Sequence, residues 1–149
     1  MAASQMLRTM LRILLVEDNL GDVMLVREAL ATAGVCHQLH VARDGEEAVK
    51  FLKRSSPFDS APRPDVMILD LNLPRRTGRE VMAELSKCEI LRPIPVAVLT
   101  TSRIDHGIAA DFPRLRCLYN LKTPDFQDLV VTVKQIERFA WADPWLEKQ

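Results

Sequence analysis

The stretch Val66-Met67-Ile68-Leu69-Asp70-Leu71-Asn72-Leu73-Pro74 decides the reading of the fold. Four consecutive apolar residues lead into a carboxylate and then into a proline-marked turn. A short apolar run closed by turn signals reads as a strand buried on both faces, the kind found in parallel sheets. In open parallel sheets, ligands and chemistry collect beyond the carboxyl ends of the strands. Asp70 stands at such an end, which makes it a carboxylate at the mouth of a site.

The same pattern recurs on either side. Upstream, Leu11 to Val16 is an apolar run that stops at Glu17-Asp18-Asn19. Leu20, Val23, Val26, Leu30 and Ala33 then recur at intervals of three and four, with Asn19 as a possible N-cap and Gly34 as the stop, which predicts an amphipathic helix. Gln38 to Ala42 fits a second strand, and Asp44 can cap a helix from Glu46 to about Lys53. Ser55 to Pro64 holds three of the nine prolines and is expected to be a surface loop, since too little chain lies on either side for two cores.

Downstream, Val81, Met82 and Leu85 mark one helix face, and Val96 to Leu99 is a fourth buried strand ending in Thr100-Thr101-Ser102. A short helix is expected over Asp105 to Asp111, then a fifth strand over Leu115 to Leu121, closed by Lys122-Thr123-Pro124. The last helix starts near Asp125, with Phe126, Leu129, Val130, Val133 and Ile136 on its apolar face. Five strand–helix alternations mean right-handed βαβ units. They make an α/β fold with a five-stranded parallel sheet and helices on both faces.

The bulk composition fits one soluble domain. The chain has 149 residues, 48% of them hydrophobic and 27% charged. Its 20 basic and 20 acidic residues cancel, so no global field recruits nucleic acid or an anionic membrane. Cys36, Cys88 and Cys117 form no CxxC and are expected to be small core or boundary residues, which suits a reducing cytoplasm. The run Ile13 to Val16 is too short for a signal peptide, and nothing approaches the length of a membrane span. His37 and His40 sit three apart on the second strand, so they cannot share a metal. Residues 1–10 read as a leader, about 11–139 as the core and 140–149 as an aromatic extension.

Four strand ends carry polar residues: Glu17 and Asp18, Asp70, Thr100, and Lys122. In a parallel sheet these ends share one edge. Clustered carboxylates with water-filled positions suit magnesium (Mg2+), and a carboxylate beside that cation can attack a phosphoryl group to give an acyl phosphate. Positive charge and hydrogen-bond donors then serve the transferred oxygens, and Lys122 and Thr100 supply both. Each residue alone has an ordinary alternative: Asp70, Asp18 or Thr100 as a cap, Lys122 as a solvated side chain. Their joint placement at strand ends favours the site.

With these residues in place the chain resembles a receiver domain of the response regulator family of two-component signalling. The resemblance implies a flavodoxin-like (βα)5 doubly wound sheet with strand order 2-1-3-4-5. The family pattern falls on Glu17 and Asp18, Asp70, Thr100 and Lys122, with Tyr119 at the place of a switch aromatic. By that resemblance Asp70 takes a phosphoryl group from a sensor histidine kinase. Asp18, Asp70 and the backbone carbonyl of Asn72 bind Mg2+, Glu17 acts mostly through water, and Thr100 and Tyr119 move on phosphorylation. The stretches Val16 to Asp22 and Leu69 to Arg75, the proline-rich loop and the aromatic tail resemble stand-alone regulators paired with bacterial phytochrome kinases.

There are departures. Thr123 stands between Lys122 and Pro124, which leaves open the cis peptide usual after that lysine, and Asp111-Phe112-Pro113-Arg114 is unusual for the family. The subgroup resemblance and the tail residues Trp141 and Trp145 favour a homodimer through the face of the fourth helix, fifth strand and fifth helix. With 27 residues after Lys122, no DNA-binding output domain is expected. The chain is therefore expected to act as a protein-contact switch and not as a conventional enzyme. A phosphohydrolase of the haloacid dehalogenase type needs an acid two residues after its nucleophile; Asn72 stands there. A non-phosphorylated adaptor remains the other alternative.

Overall fold

The computed structural model describes residues 10–142. Five parallel strands alternate with helices: β1 (Leu11–Val16), α1 (Leu20–Thr32), β2 (His37–Ala42), α2 (Gly45–Lys53), β3 (Val66–Leu69), α3 (Gly78–Lys87), β4 (Val96–Thr100), α4 (Ile108–Asp111), β5 (Cys117–Leu121) and α5 (Phe126–Trp141). The sheet order is β2-β1-β3-β4-β5, the doubly wound order expected.

Every residue of β3 and β4 is buried, as unbroken apolar runs require. Alternate side chains enter two cores. Leu14, Met67, Leu69 and Val98 pack against α2 and α3, with Phe51, Met82 and Leu85 among the partners. Ile13, Leu15, Ile68 and Leu99 pack against α1 and α5, with Val26, Leu30, Val133 and Ile136 among theirs. The register sets the strand ends level. Val16 lies opposite Leu69, Leu69 opposite Val98, and Thr100 opposite Leu121. The residues that follow, or Thr100 itself, therefore meet along one edge.

The expected caps form. Asn19 accepts the Asp22 N–H at 3.0 Å and Asp44 the Glu47 N–H at 2.7 Å, while Asp125 caps α5. Gly34, at φ +72°, closes α1 in the left-handed region that glycine tolerates.

Several expectations need correction. Leu20 does not join the apolar face of α1 but is 61% exposed, because the first helical position points away from the sheet. The segment expected as one helix over 105–111 is a 3₁₀ helix, Arg103–Gly107, followed by the single turn of α4. It starts where Ser102 caps the Ile104 N–H. β5 begins at Cys117 and not at Leu115, which is buried just ahead of the strand. Cys36 is exposed, not a core residue. Among the described residues the cis peptide is Ser56–Pro57, so Lys122–Thr123 is trans. Trp141 ends α5 and is 42% exposed, whereas Pro144 and Trp145 lie outside the described residues.

Candidate functional site

Carboxylate oxygens of Glu17, Asp18 and Asp70 lie within 4.8 Å of one another beyond β1 and β3. Glu17 is buried, Asp18 exposed and Asp70 in between. The loop after β3 is held in place by backbone. The Asp70 N–H donates to the Val16 carbonyl at 3.1 Å, and Asp70 Oδ1 accepts the Asn72 N–H at 3.0 Å. Gly78, at the start of α3, lies against this loop so closely that a Cβ there would meet Leu71 Cα at 2.7 Å and the Asp70 carbonyl at 2.8 Å. The loop's other flank is pinched in the same way, since a Cβ on Gly45 would meet the Arg76 carbonyl at 2.1 Å.

Lys122 reaches into the cluster from the end of β5. Its backbone N–H donates to the Thr100 carbonyl at 2.6 Å. Its Nζ donates to Glu17 Oε1 at 2.8 Å and Asp22 Oδ2 at 2.9 Å, and lies 3.9 Å from Asp70 Oδ2. Burial alone would lower the lysine pKa, but the hydrogen bonds to Glu17 and Asp22 outweigh it and the value lies above the usual lysine range. Glu17 is also shifted up, first by burial and further by the neighbouring Asp70 charge, against the pull of Lys122 and the Asn19 N–H. Three carboxylates, Glu17, Asp22 and Asp70, thus face one ammonium, with Asp18 beside Glu17 and Asp70. That excess of negative charge on hard oxygen donors fits a divalent cation of the Mg2+ type.

Thr100 is fully buried. Its hydroxyl donates to Asp105 Oδ2 at 3.1 Å and accepts the Ser102 N–H at 3.2 Å. The Tyr119 hydroxyl donates to the Ser102 carbonyl at 3.0 Å, and its ring meets His106 edge-on at 5.6 Å.

A model of the response regulator receiver domain matches residues 13–112 of this chain. The chain belongs to the response regulator receiver family.

Among its relatives is the response regulator Rcp1 of Synechocystis sp., 42% identical over 135 residues, which are 91% of this chain and 88% of Rcp1. The phosphorylated cyanobacterial phytochrome response regulator RcpA superposes with a TM-score of 0.78 at 41% identity, over 89% of this chain and 94% of that one. The Mn2+-bound form of Rcp1 superposes with a TM-score of 0.75 at 42% identity, over 87% and 93% of the two chains. Receiver domains of this family work with histidine kinases in two-component systems and are not enzymes of the usual kind.

The receiver fold therefore brings together Glu17, Asp18, Asp70 and Lys122. It leaves the hydroxyls of Thr100 and Tyr119 bonded to the segment 102–105. Sequence reasoning missed Asp22 on Lys122, Asp105 on Thr100, and the glycines that pinch the loop. Asp22 lies in the first turn of α1 just past the Glu17-Asp18 pair, and that closeness in sequence to the acidic strand end could have flagged it. The two histidines set aside differ in their surroundings: His37 Nδ1 lies 2.8 Å from the Val35 carbonyl, whereas His40 packs on Phe51 with its Nε2 buried and without a hydrogen-bond partner among the described residues. Burial pushes the Cys117 thiol up to about 11, so it stays protonated at neutral pH. Among the described residues no helix is long and apolar enough to cross a membrane.

Proposed function

We propose that Asp70 accepts a phosphoryl group from the phosphohistidine of a sensor histidine kinase. The observation that carries this reading is the Asp70 carboxylate within an acidic cluster, with the Lys122 ammonium 3.9 Å away. An Asp70 oxygen attacks phosphorus in line, the new O–P bond forms as the P–N bond breaks, and the electron pair leaves with the imidazole. Lys122 stabilises the charge on the transferred oxygens, and Thr100 donates its hydroxyl to them. Asp18, Asp70 and the Asn72 carbonyl are the residues that would hold Mg2+, with Glu17 acting mostly through water. Bound there, the cation neutralises charge developing on the phosphoryl oxygens.

Phosphorylation adds about −1.5 to −2 charge and new acceptor oxygens. That addition draws in Thr100, with Tyr119 following, and so biases the surface of α4, β5 and α5. Slow self-dephosphorylation would proceed by attack of water on the same phosphorus, the bond to the Asp70 oxygen breaking as inorganic phosphate leaves and the carboxylate is regenerated. Asn72 cannot serve as a general acid, which speaks against a dedicated phosphohydrolase.

The kinase is proposed to be a bacterial phytochrome in the cytoplasm, on the strength of the likeness to Rcp1 and RcpA. Its docking surface would be the cleft of about 310 Å³ between α1 and the start of α5, where Leu25, Pro124 and Phe126 adjoin Lys122. A homodimer through α4, β5 and α5 is supported by the exposed Val131 and Trp141. Equilibrium sedimentation should then show a dimer that Trp141→Ala weakens.

Intact mass after incubation with acetyl phosphate and Mg2+ tests the main reading. One added phosphoryl group is expected, and none in Asp70→Asn or with EDTA. Modification that survives Asp70→Asn would place the acceptor elsewhere.

A further inference from the structure

We propose that Asp105 is a positioning residue for phosphoryl transfer, holding the Thr100 hydroxyl until Asp70 is phosphorylated. The inference rests on Asp70 as acceptor. A hydroxyl has a single proton to donate, and Thr100 gives it to Asp105 Oδ2 at 3.1 Å. While that bond stands, the proton is not available to a phosphoryl oxygen on Asp70.

Beyond Thr100, Asp105 is itself fixed from two more sides. Its Oδ1 faces Arg79 Nη2 at 3.6 Å, and Arg79 is braced by Asp111 at 2.9 Å. Its backbone N–H donates to the Ser102 carbonyl at 3.4 Å, the same oxygen that takes the Tyr119 hydroxyl. Arg79 directly follows Gly78, whose backbone lies against Asp70 and Leu71. Asp105 thus joins the end of β4 to the start of α3, the two elements that flank the acceptor loop.

When a phosphoryl group draws the Thr100 hydroxyl away, Asp105 keeps only Arg79 as a side-chain partner and meets new negative charge nearby. The 3₁₀ segment 103–107 then loses its bond to the strand. That segment carries Ile104, which is 91% exposed. Release of Thr100 and rearrangement of this surface are therefore one event.

The test compares phosphorylation rates with acetyl phosphate and Mg2+, read by intact mass, in wild type, Asp105→Ala, Asp105→Asn, Thr100→Val and the Asp105→Ala/Thr100→Val double variant. Asp105→Ala frees the hydroxyl and should be faster by about fivefold, the factor carried by one hydrogen bond of ordinary net strength. Asp105→Asn keeps an acceptor oxygen for Thr100 and should stay closer to wild type. Once Thr100 is valine, adding Asp105→Ala should change nothing, which a merely structural role would not produce. An unchanged or slower Asp105→Ala overturns the inference, as does the same acceleration in the Thr100→Val background. If wild type takes up no phosphoryl group on Asp70, the reading of the acceptor fails and the inference with it. If wild type is modified and Asp105 has no effect, the inference fails alone.

Discussion

The two sides of the site are prepared to different degrees. At the ends of β1 and β3, Glu17, Asp18 and Asp70 converge, and Lys122 already spans Glu17, Asp22 and the edge of Asp70. At the end of β4 and in the middle of β5, Thr100 and Tyr119 spend their hydroxyl protons on the segment 102–105. Donor count explains the difference. An ammonium has three N–H donors and can hold two carboxylates while still facing a third group, whereas a hydroxyl has one. The lysine can serve the phosphoryl group without letting go of its partners. In the mechanism proposed, the threonine must change partner, which puts the switch on its side.

Removing the lysine is the strongest way to break the prepared side. Lys122→Met leaves Glu17 buried with no cation and should destabilise the fold by roughly 3–5 kcal/mol at neutral pH. The pH dependence has a definite sign. Glu17 has a raised pKa in the folded protein, and losing Lys122 raises it further. The folded state then binds more protons than the unfolded one, so stability falls as pH rises above the usual carboxyl value of 4.5. The deficit of Lys122→Met should therefore shrink as pH is lowered from 7 toward 5, in urea unfolding followed across that range. For wild type the lysine value is raised, so its contribution is complete below 10.5 and is lost as pH rises beyond it. A deficit that does not vary with pH would mean that Glu17 is not what the lysine holds.

A smaller effect is expected at Gly78. A Cβ there would press on the backbone of Asp70 and Leu71, not on a flexible side chain. Gly78→Ala should cost about 1–3 kcal/mol, the usual range for overpacking. It should also displace Asp70 and slow phosphoryl uptake, while Thr100 keeps its bond to Asp105. Stability within a few tenths of wild type, measured by urea unfolding, would show that the acceptor loop is less firmly placed than the cluster suggests.

What the sequence made legible follows the same division. Buried parallel strands announce themselves as short apolar runs, so Val66–Leu69 and Val96–Leu99 located Asp70 and Thr100 at strand ends. The level register then brought them to one edge with Lys122. Contacts made across the fold carry no local signal. Arg79 and Asp105 are polar residues on different elements, and nothing near either one marks the other as a partner. Gly78 reads as a turn residue ahead of a helix, while its close approach to Asp70 belongs to the packing. Leu20 fits the helical period and yet faces solvent, because a period fixes a stripe along the helix but not where the sheet ends beneath it.

The lightest perturbation is also the one that separates the two sides. Tyr119→Phe removes a single hydrogen bond, to the Ser102 carbonyl, and keeps the ring against His106. The cost should be near the low end of about 0.5–1.5 kcal/mol, because Ser102 is only half-buried and its carbonyl also accepts the Asp105 N–H. The informative quantity is where the loosening appears. Amide exchange should quicken at Ile104 and Asp105, whose N–H groups depend on Ser102, and stay unchanged at Asp70, whose N–H is bonded to Val16. Exchange that quickens equally at all three would make the site one cooperative unit. Thr100 could not then change partners without disturbing the acidic cluster.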